Sequence, residues 1–146
     1  MKKSEGMQNI VQFVKFGVVG VSNTLVDWAV FYLLTNFAFG GGSGELASKA
    51  VAFAVAVINS FIWNSAWTFK KEFKESIGNR DERIRRGGVV FLRFVLVSLI
   101  GWGINYYTFK YTRFSLGQIQ IVSLIAASAA ATLWNFIINK LWTYKK

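Results

Sequence analysis

The sequence predicts an all-α integral membrane protein of four transmembrane helices, built as two tandem two-helix repeats with both termini cytoplasmic. Three observations lead there. The 146-residue chain is 53% hydrophobic and only 16% charged, against about 25% charged residues in soluble domains. Its apolar residues gather into four long runs, with basic residues crowded at one set of run ends. The ending of the second run recurs at the end of the fourth.

Phe16 to Leu34 carries one charge, Asp27; Ala50 to Phe69 carries none; Val89 to Phe109 carries Arg93; Ile119 to Asn139 carries none. A hydrocarbon core about 30 Å thick needs about 20 apolar residues in a helix. Apolar character on every face argues for spans and against amphipathic bundle helices. The spans are therefore expected at about 13–35, 48–69, 89–110 and 118–140 of a single domain 1–146. The chain has no proline to kink them. The first run is long for the apolar region of a signal peptide, and no A-x-A-like cleavage site follows it. Between the runs, Gly40-Gly41-Gly42-Ser43-Gly44 reads as a flexible turn, Lys70 to Gly88 as a charged connection and Lys110 to Gly117 as a short polar turn.

Orientation follows from the basic residues. Lys2, Lys3 and Lys15 precede the first span. Lys70, Lys71, Lys74, Arg80, Arg83, Arg85, Arg86 and Arg93 surround the middle connection, and Lys140, Lys145 and Lys146 close the last span. Only Lys49, Lys110 and Arg113 fall on the other side. The positive-inside rule then puts both termini and the middle connection in the cytoplasm. The net charge of +10 reads as this rule plus attraction to anionic lipid; because the charges sit at span ends, no nucleic-acid partner is expected.

The chain holds no cysteine and no histidine. Thiolate chemistry, disulfides, the commonest metal ligand and the commonest general base are all missing. No Walker pattern and no D-x-D pair is present. No enzyme activity, cofactor or metal is expected.

Phe61-Ile62-Trp63-Asn64-Ser65-Ala66-Trp67-Thr68-Phe69-Lys70-Lys71 aligns with Phe136-Ile137-Ile138-Asn139-Lys140-Leu141-Trp142-Thr143-Tyr144-Lys145-Lys146 at an offset of 75. A weaker echo joins the odd spans at an offset of 78: Phe13-Val14-Lys15-Phe16 with Phe91-Leu92-Arg93-Phe94, and Asp27 with Asn105. Two copies of a two-span unit share one orientation, with their pseudo-twofold axis along the membrane normal.

Phe16-Gly17-Val18-Val19-Gly20-Val21-Ser22-Asn23-Thr24-Leu25-Val26-Asp27, Asn64-Ser65-Ala66-Trp67-Thr68-Phe69 and Asn139-Lys140-Leu141-Trp142-Thr143-Tyr144 resemble motifs of the GtrA-like family of small four-span proteins. The likeness covers about Val11 to Lys146, and Ser65 departs from it where the family usually has arginine. The resemblance implies translocation of polyprenyl-phosphate-linked monosaccharides across the cytoplasmic membrane for cell-surface polysaccharide synthesis. It implies, alternatively, an anchor or adaptor for a polyprenyl-phosphate glycosyltransferase. A small proton-coupled multidrug exporter is a third reading of four spans and one membrane carboxylate.

The candidate substrate-binding residues are Lys15, Asn23, Asp27, Asn64, Trp67, Lys70, Arg93, Asn105, Asn135, Asn139 and Trp142. Asp27 is the only carboxylate inside a span, about 18 Å along the helix from Lys15. Such a group is costly in lipid and faces a bundle or a wet cavity. It reads as a hydroxyl ligand, a proton carrier or a counter-ion, or else as a structural partner of Asn23 or a neighbouring helix. On the fourth span Ser128, Thr132, Asn135, Asn139 and Trp142 fall within about 80°, an expected inward polar stripe. Amides and indoles suit a sugar; singly, each amide also reads as an interhelical hydrogen bond. Lys15 with Arg93, and Lys70 with Lys145, occupy matching positions and would ring the inner mouth with cations for a lipid phosphate. Trp67, Phe69, Trp142 and Tyr144 read most simply as an interfacial aromatic belt. Gly17, Gly20, Gly101, Gly103 and the alanines from Ala126 to Ala131 read as close helix packing, including packing between copies in a homo-oligomer.

Overall fold

The computed structural model describes residues 2–38, 43–78 and 82–145, with side chains omitted at 2–5, 43, 45 and 46. The turn at Gly40–Gly42, Arg80, Lys146 and the side chains of Lys2 and Lys3 lie outside the described residues. The chain divides into two compact units, Met1–Lys70 and Lys71–Lys146.

The first unit holds α1 (Lys2–Phe37), α2 (Ser43–Trp63) and a π turn at Asn64–Thr68. The helices pack antiparallel. Asp27 meets Lys49 toward one end, Asn59 meets Asn23 in the middle, and Phe69 meets Phe16 at the other end. Small buried residues on α2, Ser48, Ala52 and Ala56, leave room for the close approach of α1.

The second unit holds α3 (Lys70–Ile77), which starts at the boundary, then α4 (Arg83–Lys110), a π turn at Tyr111–Ser115, α5 (Gln120–Ile138) and a π turn at Asn139–Thr143. Here Phe94, Val97, Gly101, Ser123 and Ala127 are buried. At the offsets of 75 and 78, four of these five match buried Phe16, Val19, Ser48 and Ala52. Gly101 is the fifth: a Cβ there would lie 2.6 Å from the Asn135 amide, so a larger residue would push that amide aside.

Among the described residues all regular structure is helical, and four helices are long and apolar enough to cross a membrane: Gly6–Phe37, Ala47–Thr68, Arg83–Ser115 and Gln120–Thr143. The charged connection and the expected polar turn both contain helix. Phe73 and Ile77, four apart among charges, give α3 an apolar edge, and Ile77 is buried. Gly78, at φ +64°, ends α3 in the left-handed conformation that glycine adopts freely. The expected turn at Lys110–Gly117 is mostly a π turn continuing α4, and the chain reverses only at Gly117, φ +63°.

Three further expectations are corrected. Phe69 and Tyr144 are buried and form no part of an aromatic belt; Trp67 and Trp142, 42% and 44% exposed, keep that role open. The stripe on the fourth span does not face inward as a whole, because Ser128 and Trp142 are exposed while Ser123, Ala127, Asn139 and Thr143 are buried. The stripe assumed 100° per residue throughout, and the π turn at Asn139–Thr143 breaks that phase. Of the packing glycines, only Gly101 meets a neighbour; Gly17, Gly20 and Gly103 face open space.

Candidate functional site

In the first unit the Lys15 ammonium lies 5.3 Å from the centre of the Trp67 ring. Next to it, Phe16 and Phe69 meet edge to face at 6.1 Å. The Phe69 N–H donates to the Asn64 carbonyl at 2.7 Å, the i to i+5 bond that defines the wide turn. That turn buries Asn64 and Thr68. Asn64 donates from Nδ2 to Ser60 Oγ at 3.2 Å, while its Oδ1 and the Thr68 hydroxyl have no partner among the described residues. An apolar cavity of about 420 Å³ opens beside this end, lined by Val18, Val19, Ser22, Trp63, Ala66 and Trp67.

The second unit holds the same set of parts. The Arg93 guanidinium lies 5.4 Å from the Trp142 ring and donates from Nη1 to the Trp142 carbonyl at 3.3 Å. Phe94 and Tyr144 meet edge to face at 6.4 Å. The Tyr144 N–H donates to the Asn139 carbonyl at 3.0 Å. Asn139 and Thr143 are fully buried, and among the described residues neither Asn139 amide atom nor the Thr143 hydroxyl has a partner. A buried unpartnered amide is costly, about 1–3 kcal/mol, and invites a polar guest. The structure thus pairs Lys15 with Trp67 and Arg93 with Trp142, each within one unit.

The remaining candidates separate. Asp27 is 18% exposed and accepts from Lys49 Nζ at 2.6 Å; Lys49, 58% exposed, also lies over the Phe31 ring. The carboxylate therefore answers to the neighbouring helix, two residues inside the second apolar span, which begins at Ala47. Asn23 is paired with Asn59 Nδ2 at 3.5 Å. Asn105, the counterpart of Asp27, is half-buried, and Lys70 is exposed. Asn135 lies against Gly101 with an unpartnered, buried Oδ1.

Sequence reasoning missed Lys49 as the partner of Asp27, because the Gly-rich turn separates them and only antiparallel register brings them level. It missed Thr68 and Thr143, although both stand inside the repeated Trp-Thr pair. It also missed Ser76 and Phe73, which fasten α3 to Tyr144: Ser76 Oγ donates to the Tyr144 carbonyl at 2.5 Å, and the Phe73 and Tyr144 rings meet at 6.2 Å.

Comparison with known proteins adds to this geometry. The model of one family, described as the GtrA/DPMS transmembrane domain, matches residues 15–144. An uncharacterised membrane protein, YngA of Bacillus subtilis, is 30% identical over 89% of this chain and 77% of its own length. A bactoprenol-linked glucose translocase of Shigella phage SfII is 26% identical over 91% of this chain and 94% of its own. A dolichol-phosphate mannosyltransferase of Pyrococcus furiosus is 27% identical over 96% of this chain, a match that spans 35% of that protein.

Proposed function

This chain belongs to the GtrA/DPMS transmembrane-domain family, and from that premise we propose that it moves polyprenyl-phosphate-linked monosaccharides across the cytoplasmic membrane for cell-surface polysaccharide synthesis. It is a multi-pass membrane protein, and in this reading its termini and basic span ends face the cytoplasm. The two units act as copies of one two-helix repeat, and the working form is a homo-oligomer. Gly17, Gly20 and Gly103, open within the chain, supply helix faces for that assembly.

The observation that carries the reading is the repeated pairing of a cation with an indole beside buried, unpartnered amides. A phosphate cannot enter hydrocarbon without a counter-charge. Lys15 and Arg93, held at the basic span ends, offer one in each unit. Trp67 and Trp142 offer faces for sugar C–H groups, and Asn64 Oδ1 and both Asn139 amide atoms have no partner among the described residues. Asp27 and Lys49 form a polar station further along the first unit. The work asked of these groups is binding and exchange of polar partners, with no bond made or broken.

The test is reconstitution of the pure chain in vesicles loaded with a polyprenyl-phosphate-linked sugar, followed by measurement of inner-to-outer movement. Movement above protein-free vesicles is expected; none would defeat the reading. A second reading, an adaptor that docks a glycosyltransferase, gains from the Pyrococcus relative, in which the matched stretch is a minor part of a protein named as a mannosyltransferase. That reading is favoured if the vesicles show no movement while a co-expressed glycosyltransferase is retained on the chain.

A further inference from the structure

The second unit has a cationic pocket, two of whose arginines the sequence of the first unit does not repeat. Three segments meet in a pocket of about 590 Å³: the end of α3 through Ser76, the start of α4 through Arg85, Arg86, Val89, Val90 and Arg93, and the tail through Lys145. At the offset of 78, Arg85 and Arg86 correspond to Met7 and Gln8.

The pocket is built. Tyr144 is held by the Phe73 and Phe94 rings and by the Ser76 hydroxyl, which fixes where Lys145 emerges. Gly78 lets the chain turn beside Arg86; a Cβ there would touch the guanidinium at 3.4 Å. Four cations line the space. Glu82 engages two of them, Arg86 at 2.5 Å and Arg85 at 3.6 Å, so among the described residues four cations share one carboxylate. Neither Arg93 nor Lys145 has an ion pair among the described residues. Guanidinium forks and an ammonium around one space match the oxygens of a phosphate. Ser76 is a positioning residue, since its proton is used on backbone carbonyls.

We propose that this pocket binds a phosphate headgroup carried by a lipid. Val89 and Val90 form its apolar side, and Arg93 is the one charge within the apolar run that follows. A phosphate seated there leaves an attached hydrocarbon tail beside an apolar helix, which a free anion does not use. The proposal rests on the reading above for its lipid class, and names the place where the phosphate is held.

Binding is measured with the full chain in maltoside micelles, using farnesyl phosphate, farnesol, phosphatidylglycerol and inorganic phosphate as probes. Arg86→Gln is expected to weaken farnesyl phosphate binding by about tenfold, the loss of one charged hydrogen-bonding group. Lys110→Gln, the same charge change at the other end of α4, should leave it within about twofold. Lys145→Gln, on the exposed tail, should repeat the Arg86 effect and guards against a folding artefact. Equal losses from Arg86→Gln and Lys110→Gln, no loss from Arg86→Gln and Lys145→Gln, or farnesol binding as tightly as farnesyl phosphate would each overturn the site. Inorganic phosphate binding as tightly as farnesyl phosphate would overturn the lipid assignment. Phosphatidylglycerol competing equally would assign the pocket to bulk anionic lipid and overturn its place in sugar-lipid binding. Because the assay needs no transport, vesicles without flux but with Arg86-dependent binding would defeat translocation alone.

Discussion

The two units share an ending and differ in what surrounds it. Each finishes its second span in a π turn with a buried asparagine, a buried threonine and a buried ring two residues after a tryptophan. Around this shared lock the first unit places an ion pair, Asp27 with Lys49, and an apolar cavity. The second places asparagine and leucine at the matching positions, Asn105 and Leu124, and gathers cations in a pocket. The shared part joins buried rings that fix shape to the cation–indole pairs and amides proposed above to meet the substrate. The differing parts are charged groups, and these are the places to look for a division of labour.

Asp27→Asn tests the difference most severely. Flux of the lipid-linked sugar in vesicles is expected to be lost, while the fold tolerates asparagine as the second unit does at Asn105. The partner Lys49 is more than half exposed, so the stability cost should stay at or below about 1 kcal/mol. Lys49→Gln should match it in flux. Normal flux in both variants would make the pair a packing device and remove the contrast.

The shared lock is tested by Phe69→Ala and Tyr144→Ala. Removing a buried ring costs about 3 kcal/mol, and a comparable fall in thermal stability in detergent is expected from each. A large effect in one unit only would break the equivalence. Next in size is Gly101→Ala, which drives a methyl into the Asn135 amide and should cost about 1–2 kcal/mol. Adding Asn135→Ala should recover most of it, and Gly103→Ala, facing open space, should be silent in the same melt. The smallest effect belongs to Trp67→Leu and Trp142→Leu, each worth about 0.5–1 kcal/mol from the lost cation–ring contact. Double-mutant cycles with Lys15→Gln and Arg93→Gln would read those couplings directly.

The four spans were legible because a bilayer demands length and apolarity, and both are linear properties of sequence. Lys15, Arg93, Trp67 and Trp142 were each legible at span ends, but the pairing of Lys15 with Trp67 and of Arg93 with Trp142 was not, because it depends on how the antiparallel helices meet. The burial of Phe69 and Tyr144 did not follow, because an aromatic residue at a span end suits an interface as well as a core. Lys49 was counted only toward orientation, since no local pattern ties it to Asp27. The pocket needs α3, whose apolar edge is two residues among seven charged or polar neighbours from Lys70 to Asn79, and which gains its helix by docking on Tyr144.

The π turns carry a consequence for the geometry of substitution. Each wide turn accommodates about one more residue than an α turn over the same rise. A residue in an α-helix advances the azimuth by 100°. Deleting one residue from Asn64–Thr68 or Asn139–Thr143 is therefore less a shortening than a local twist: the turn returns to α geometry, the chain on either side keeps its course, and the tryptophan inside the turn, Trp67 or Trp142, changes its bearing by up to about a quarter of a circle. Chain length at these two places acts as an angular setting, and insertions there should be judged by rotation rather than by reach.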